Sequence, residues 1–246
     1  FAIDGSYALK LSPTFSMAVG GRFISSNLRF QDGTQDSQAA NAFAVDISGF
    51  YRSREIAYNS FNGRWRGGFN ISNLGGKIQY DEGGQENFLP TNLKFGGGFD
   101  FILDDYNVIS LNTEFTKLLV PTPPVFGDEY EFEDNNGNGV FDPENGTDDT
   151  DTDVLGNRIQ DDVIISGQSN DVNFLQGVFQ SFGDAPGGFS EELREFTWSL
   201  GAEYQYQDSF AFRAGYFNEA EDKGARKFFA LGAGFKYTTI NIDVSY

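Results

Sequence analysis

Cysteine and histidine are absent from all 246 residues, and methionine occurs once. The missing cysteine excludes a disulfide framework and any thiolate nucleophile or ligand. The missing histidine removes the Ser-His-Asp arrangement and the usual zinc site. Positive charge is scarce as well: 17 Lys and Arg stand against 36 Asp and Glu, for a formal charge of −19. Nucleic-acid recognition needs a basic surface, so no nucleic-acid partner is expected. Long apolar runs are also missing. None exceeds four residues, as at 228–231, far short of the roughly 20 that a transmembrane helix requires. The opening Phe1-Ala2-Ile3-Asp4 has neither the basic start nor the apolar stretch of a secretory signal.

What the chain has in quantity is glycine, at 30 residues, and aromatic residues, at 16%, although its hydrophobic share is only 39%. These fall in a period-2 pattern. Phe1, Ile3, Tyr7, Leu9 and Leu11 share one parity, with Asp4, Ser6 and Lys10 on the other. Phe43, Val45, Ile47 and Tyr51 alternate with Asp46 and Ser48, and Trp65, Phe69 and Ile71 with Arg64, Arg66 and Asn70. Near the far end Phe229, Leu231, Phe235 and Tyr237 oppose Gly232, Gly234 and Lys236. Ten such runs occur, at 1–11, 15–23, 43–51, 65–71, 93–103, 109–115, 196–206, 210–216, 229–237 and 240–246. Period 2 means strand.

Connection lengths separate a soluble sandwich from a membrane barrel. Links at 12–14, 104–106, 207–209 and 238–239 are short, whereas those at 31–41, 72–91, 121–192 and 218–227 are long. Tight turns on one rim and long loops on the other are the layout of outer-membrane barrels. Charged and small residues on one parity suit a wet or plugged lumen. Tyr7, Phe15, Tyr51, Tyr106, Tyr206, Tyr216, Tyr237 and Tyr246, at strand ends, suit interfacial girdles. The expected fold is therefore all-β: a transmembrane antiparallel β-barrel in the outer membrane, one domain over 1–246. Both ends read as strand interiors cut short, so strands are expected beyond them.

Charge is concentrated in one place. Segment 121–192 holds 17 of the acids and a single base, Arg158, and shows no strong strand or helix period. It reads as a long acidic surface loop. Within it, Asp134, Asn136, Asn138 and Asp142, with Gly139 at the sixth position, space oxygen donors as a short calcium loop does. The twelfth position is Asn145 instead of Glu, and a solvated acidic loop is the competing reading. Segment 172–189 is oddly apolar for such surroundings. Phe174, Leu175, Val178, Phe179 and Phe182 fit one face of a short helix, which either packs on the barrel mouth or docks a partner. On the strands, Lys10, Arg22, Arg64, Arg66, Lys94 and Arg213 share the polar parity with Asp4, Asp46, Asp100 and Glu203. Mutual pairing across the lumen is expected, against a path for an anionic ligand such as a fatty acid.

The run Trp65-Arg66-Gly67-Gly68-Phe69-Asn70-Ile71-Ser72-Asn73-Leu74-Gly75-Gly76-Lys77-Ile78 resembles a signature of FadL-like outer-membrane barrels, and within them the PorV group of type IX secretion. Leu89-Pro90-Thr91-Asn92-Leu93-Lys94-Phe95, Leu118-Leu119-Val120-Pro121 and the far segment 192–201 are similar to that group too. The resemblance implies a barrel of about fourteen strands when complete, with no enzyme site and no required cofactor. It implies a component that takes the C-terminal signal domains of exported cargo from an SprA-type translocon and hands them to a PorU-type attachment complex, surrounded by outer-membrane lipid. A FadL-type transporter of hydrophobic small molecules is the alternative. A lipid deacylase is disfavoured, because the chain has no histidine and no Gly-x-Ser-x-Gly elbow. If the calcium loop is real, Ca²⁺ will protect it from protease; identical digestion with and without chelator contradicts it.

Overall fold

The computed structural model describes residues 1–27, 39–80, 86–133 and 154–246. Its first half runs β1 (Ala2–Lys10), β2 (Phe15–Ser26), β3 (Ala40–Arg52), the short β4 (Ile56–Ala57), β5 (Asn62–Gly75), β6 (Asn92–Ile102) and β7 (Asn107–Leu118). A ribbon of β8 (Val125–Glu133) and β9 (Val154–Ser166) follows, then helices α1 (Phe174–Gln180) and α2 (Phe189–Arg194). Four more strands complete it: β10 (Thr197–Tyr206), β11 (Phe210–Asn218), β12 (Lys227–Tyr237) and β13 (Ile240–Ser245). Ten strands make one antiparallel meander in the order β1-β2-β3-β5-β6-β7-β10-β11-β12-β13, while β8 and β9 pair only with each other. Each alternating run read from the sequence lies in one of those ten. The fold is all-β, and the meander is open, with β1 and β13 as its edges. In hydrocarbon each unpaired N–H or C=O on such an edge costs several kcal/mol, so both edges need strand partners there.

In an antiparallel meander successive connections fall on opposite rims. One rim carries turns at 11–14, 53–61, 103–106, 207–209 and 238–239. The Asp104 carboxylate caps one of these by accepting the N–H groups of Tyr106 and Asn107, both at 2.8 Å. Gln207 and Asp208 take left-handed conformations in another. The connections at 27–39, 76–91, 119–196 and 219–226 share the other rim.

The two faces of the sheet obey opposite rules. The buried apolar residues among those described are five alanines with Ile78, Leu89 and Leu119, which is no core for a soluble sheet. The large apolar side chains point outward instead: Phe229 is 80% exposed, Leu231 64% and Val244 66%. They interlock across strands. Phe23 packs on Phe43 at 5.1 Å, Phe95 on Phe115 at 5.4 Å, and Tyr216 on Phe229 at 4.7 Å, a belt below the long-loop rim. Trp65 with Phe99 (4.6 Å) and Phe210 with Phe235 (5.1 Å) lie toward the tight turns. Such a surface is stable against lipid, with aromatic belts at its margins.

The inward parity carries the charge, and the charge is paired. Arg22 of β2 binds Asp4 of β1 and reaches Asp46 of β3 at 3.3 Å. Arg66 meets Asp100 at 2.7 Å and Asn112 at 2.8 Å; Lys94 meets Glu114 at 3.2 Å. Arg213 bridges Glu203 and Asp243, each at 2.5 Å. Four of the six cations thus pair across strands as expected, whereas Arg64 reaches Glu55 beside β4 at 3.5 Å and Lys10 makes no ion pair among the described residues.

The described residues of segment 121–192 form two strands and two short helices. The β8–β9 pairing shifts register four times between Val125 and Phe132, and each bulge breaks the period-2 signature. Arginine in place of Leu231, near the middle of β12, should destabilise the folded barrel by about 2–4 kcal/mol in lipid unfolding titrations. Arginine in place of the inward-facing Asn241 should cost under about 1 kcal/mol. Equal costs would contradict the assignment of faces.

Candidate functional site

Polar groups not consumed by lumen pairing gather at the long-loop rim, around two centres. The first is Asn73. Between Val45 and Ile47 the β3–β5 register shifts, so Ser72 and Asn73 stand opposite the single Asp46. Asn73 absorbs the bulge in a left-handed conformation, φ 58°, which asparagine tolerates better than most residues. Its N–H donates to Asp46 Oδ1 at 2.7 Å and its side-chain amide donates to the Pro90 carbonyl at 3.1 Å. Its carbonyl accepts Thr91 Oγ1 at 2.8 Å, and its Oδ1 accepts Arg22. One residue thus ties β2 and β3 to the far end of the 76–91 connection. Next to it, a Cβ on Gly75 would lie 2.1 Å from the Phe43 carbonyl oxygen, so only glycine permits this approach. The connection then turns inward, with Ile78 and Leu89 buried on Ala40, Ala42 and Ala44. Small residues on the inner face of β3 leave the room that this plug fills.

The second centre is Lys117. It continues the outward parity of β7 after Leu111 and Phe115, yet its side chain is 0% exposed. Its ammonium donates to Glu192 at 3.0 Å and to Glu195 at 2.5 Å, with the rings of Phe182 and Phe196 5.9 and 5.4 Å away. Glu195 also accepts Thr122 Oγ1 at 2.8 Å and Lys223 at 3.1 Å. Glu192 caps the Ala185 N–H at 2.8 Å, and Arg194 reaches Asp222 at 2.9 Å. These bonds clamp α2 between the 119–123 segment and the 219–226 connection. The two centres meet at Gly177, where a Cβ would lie 2.6 Å from the Phe88 ring and 3.0 Å from Pro121.

Ionisation follows from these contacts. Burial pushes the Glu195 carboxyl up, but hydrogen bonds from Lys117, Thr122 and Lys223 outweigh it and hold the group below its ordinary range. Burial also drives Asp184 upward, against the Thr122 N–H at 3.0 Å and with the repulsion of Glu192 adding to it. Its Oδ1 is buried without a hydrogen-bond partner.

The sequence-based site residues fare differently. Phe174, Leu175, Val178 and Phe179 lie on α1, and Phe182 just beyond it. Phe174 and Val178 are half-buried toward the barrel, while Leu175, Phe179 and Phe182 are exposed, joined by Phe189 and Leu193 of α2. The candidate calcium ligands Asp134, Asn136, Asn138 and Asp142 lie outside the described residues. Among the described residues no cluster of acids suits a metal ion. Asn73 and Lys117 were not singled out from the sequence. The available sign was Lys117 itself, a cation on the greasy parity of a strand.

The Asn73 bulge, the plug and the first six meander strands lie within a match to a family model, that of the type IX secretion system protein PorV, over residues 1–125. The chain belongs to the PorV family. No curated protein matches it. Membership makes this chain an outer-membrane component of type IX secretion, in a family of secretion components and not of enzymes. The Lys117 clamp straddles the boundary of the match, with its cation inside and its carboxylates beyond.

Lys117→Met should loosen α2 by about 3–5 kcal/mol, because Glu192 and Glu195 lose a buried cation; hydrogen exchange limited to 182–196 would show it. A carboxyl held low contributes stability above its ordinary value, 4.5 for Glu195, and loses it as pH falls through the lowered one. Asp184 has the opposite sign, so its contribution declines as pH rises above its ordinary 3.8. Exchange protection of the helices should therefore drop on acidification below 4.5, and Asp184→Asn should raise protection at neutral pH. A drop in protection at neutral pH for Asp184→Asn would contradict this assignment.

Proposed function

We propose that this PorV-family chain binds the C-terminal signal domains of exported proteins at its long-loop rim and carries them from an SprA-type translocon to a PorU-type attachment complex, without catalysis. The observation that carries this reading is an exposed apolar patch, Leu175 and Phe179 of α1 with Phe182 just beyond it, on a helix seated at Gly177 against Phe88 and Pro121 and beside a buried ion cluster that fixes α2 to the barrel. A patch held this way loses little conformational entropy on docking. Large exposed apolar side chains beside charged loops are the usual mark of a protein contact.

A second reading has one observation in its favour. The inner wall holds a groove of about 770 Å³ with a glycine floor and the rings of Phe50, Phe217 and Phe228 along it, a shape that suits a hydrophobic guest. Lipid identified in gently solubilised, purified protein would support it.

Changing Leu175, Phe179 and Phe182 together to Ser should weaken capture of a purified signal domain at least about tenfold. The barrel should keep its heat-resistant mobility in detergent. Undiminished capture by a correctly folded variant would refute the docking role of the patch.

A further inference from the structure

The β8–β9 ribbon is uncovered on both faces. Phe126 pairs with Ile164 on one face, and Gly127 with Val163 on the other, beside Ile165. Phe126 is 53% exposed, Ile159 58% and Ile165 61%. Among the described residues the ribbon pairs with no meander strand, and it is tied at its base, where Ser166 Oγ donates to the Pro186 carbonyl at 2.8 Å. A lone two-stranded ribbon is marginal in water, and this one also exposes branched and aromatic side chains. Something has to cover it.

Charge decides what. Asp128, Glu129, Glu131, Asp161 and Asp162 project from the same two strands as Arg158, whose guanidinium is already engaged by Asp128 at 3.3 Å and Asp161 at 2.8 Å. This field repels a second copy of the chain and anionic lipid headgroups, and attracts a cationic surface. The four register shifts disrupt the ladder, which disfavours extension of the ribbon by a further strand at its edge. Recognition through side-chain faces remains. We propose that the β8–β9 ribbon is a docking surface for a protein partner that presents a basic face with an apolar centre. Its acids steer the encounter, and Phe126 and Ile164 on one face, with Ile159 nearby, are buried on contact. The ribbon would hold this partner whether or not the α1–α2 patch holds a signal domain.

A photo-crosslinking amino acid placed at Ile159 of the full chain in its native cells tests this, with a second at Phe179 and a control at lipid-facing Leu231. The expected result at Ile159 is a protein adduct whose crosslinked segment is net basic. Its yield should fall about tenfold when Asp128, Glu129, Asp161 and Asp162 are neutralised to Asn or Gln. Heat-resistant mobility of that variant shows that the barrel remains folded. A lipid adduct, a crosslink to another copy, an acidic crosslinked segment, no adduct above the control, or a yield unchanged by neutralisation would each overturn the proposal. The Phe179 position reports separately on the α1–α2 patch, so failure of one reading is distinguishable from failure of the other.

Discussion

A strand that crosses hydrocarbon must satisfy every backbone donor and acceptor in its ladder and show lipid nothing but apolar side chains. Most of this chain is arranged around that constraint. Its large apolar residues are exposed, its charged residues face inward, and little of its apolar material is buried in the ordinary sense. The inward charges are then a problem of their own, because a concave face narrows their access to water. Cross-strand pairing meets it: Arg22 with Asp4 and Asp46, Arg66 with Asp100, and Arg213 with Glu203 join neighbouring strands of the meander, and Arg213 also reaches past β12 to Asp243. The same contacts that neutralise the lumen fasten one strand to the next.

At the long-loop rim the constraint relaxes, and different chemistry takes over. Backbone leaves the ladder there and needs other partners. Asn73 takes the Pro90 carbonyl and the Thr91 hydroxyl of the 76–91 connection and, through two further hydrogen bonds, joins them to Arg22 and Asp46. Lys117 fixes α2 by drawing its carboxylates over the barrel lip. A buried ion pair of this kind is a poor source of net stability but a strict one of geometry, since loss of either partner strands a charge. That geometry leaves Leu175, Phe179 and Phe182 outward on a fixed support, as a docking component requires.

The meander was legible because period 2 is a local property, and ten runs of it became ten strands. Inward pairing was legible for the same reason, since parity alone puts Arg22, Arg66 and Arg213 on the face of their acids. The acidic segment was harder. Bulges between Val125 and Phe132 scramble the alternation of the ribbon, so composition spoke louder than period there. The greasy face of α1 could be read from the spacing of Phe174, Leu175, Val178, Phe179 and Phe182, but which of them stay exposed depends on Gly177 meeting Phe88, a contact between distant segments. Asn73 and Lys117 act across 17 to 78 residues of sequence. No spacing rule reaches that far, although a lysine following Phe115 on the apolar parity was a visible irregularity.

The most direct test of the central claim is a nitroxide scan along 227–237 of the protein in bilayers, comparing collisions with oxygen and with a water-soluble relaxant. The account predicts period-2 alternation, with Phe229, Leu231, Ala233 and Phe235 accessible to oxygen and Phe228, Ala230, Gly232 and Gly234 to the aqueous agent. Uniform aqueous access along the strand, or alternation of the opposite phase, would contradict it.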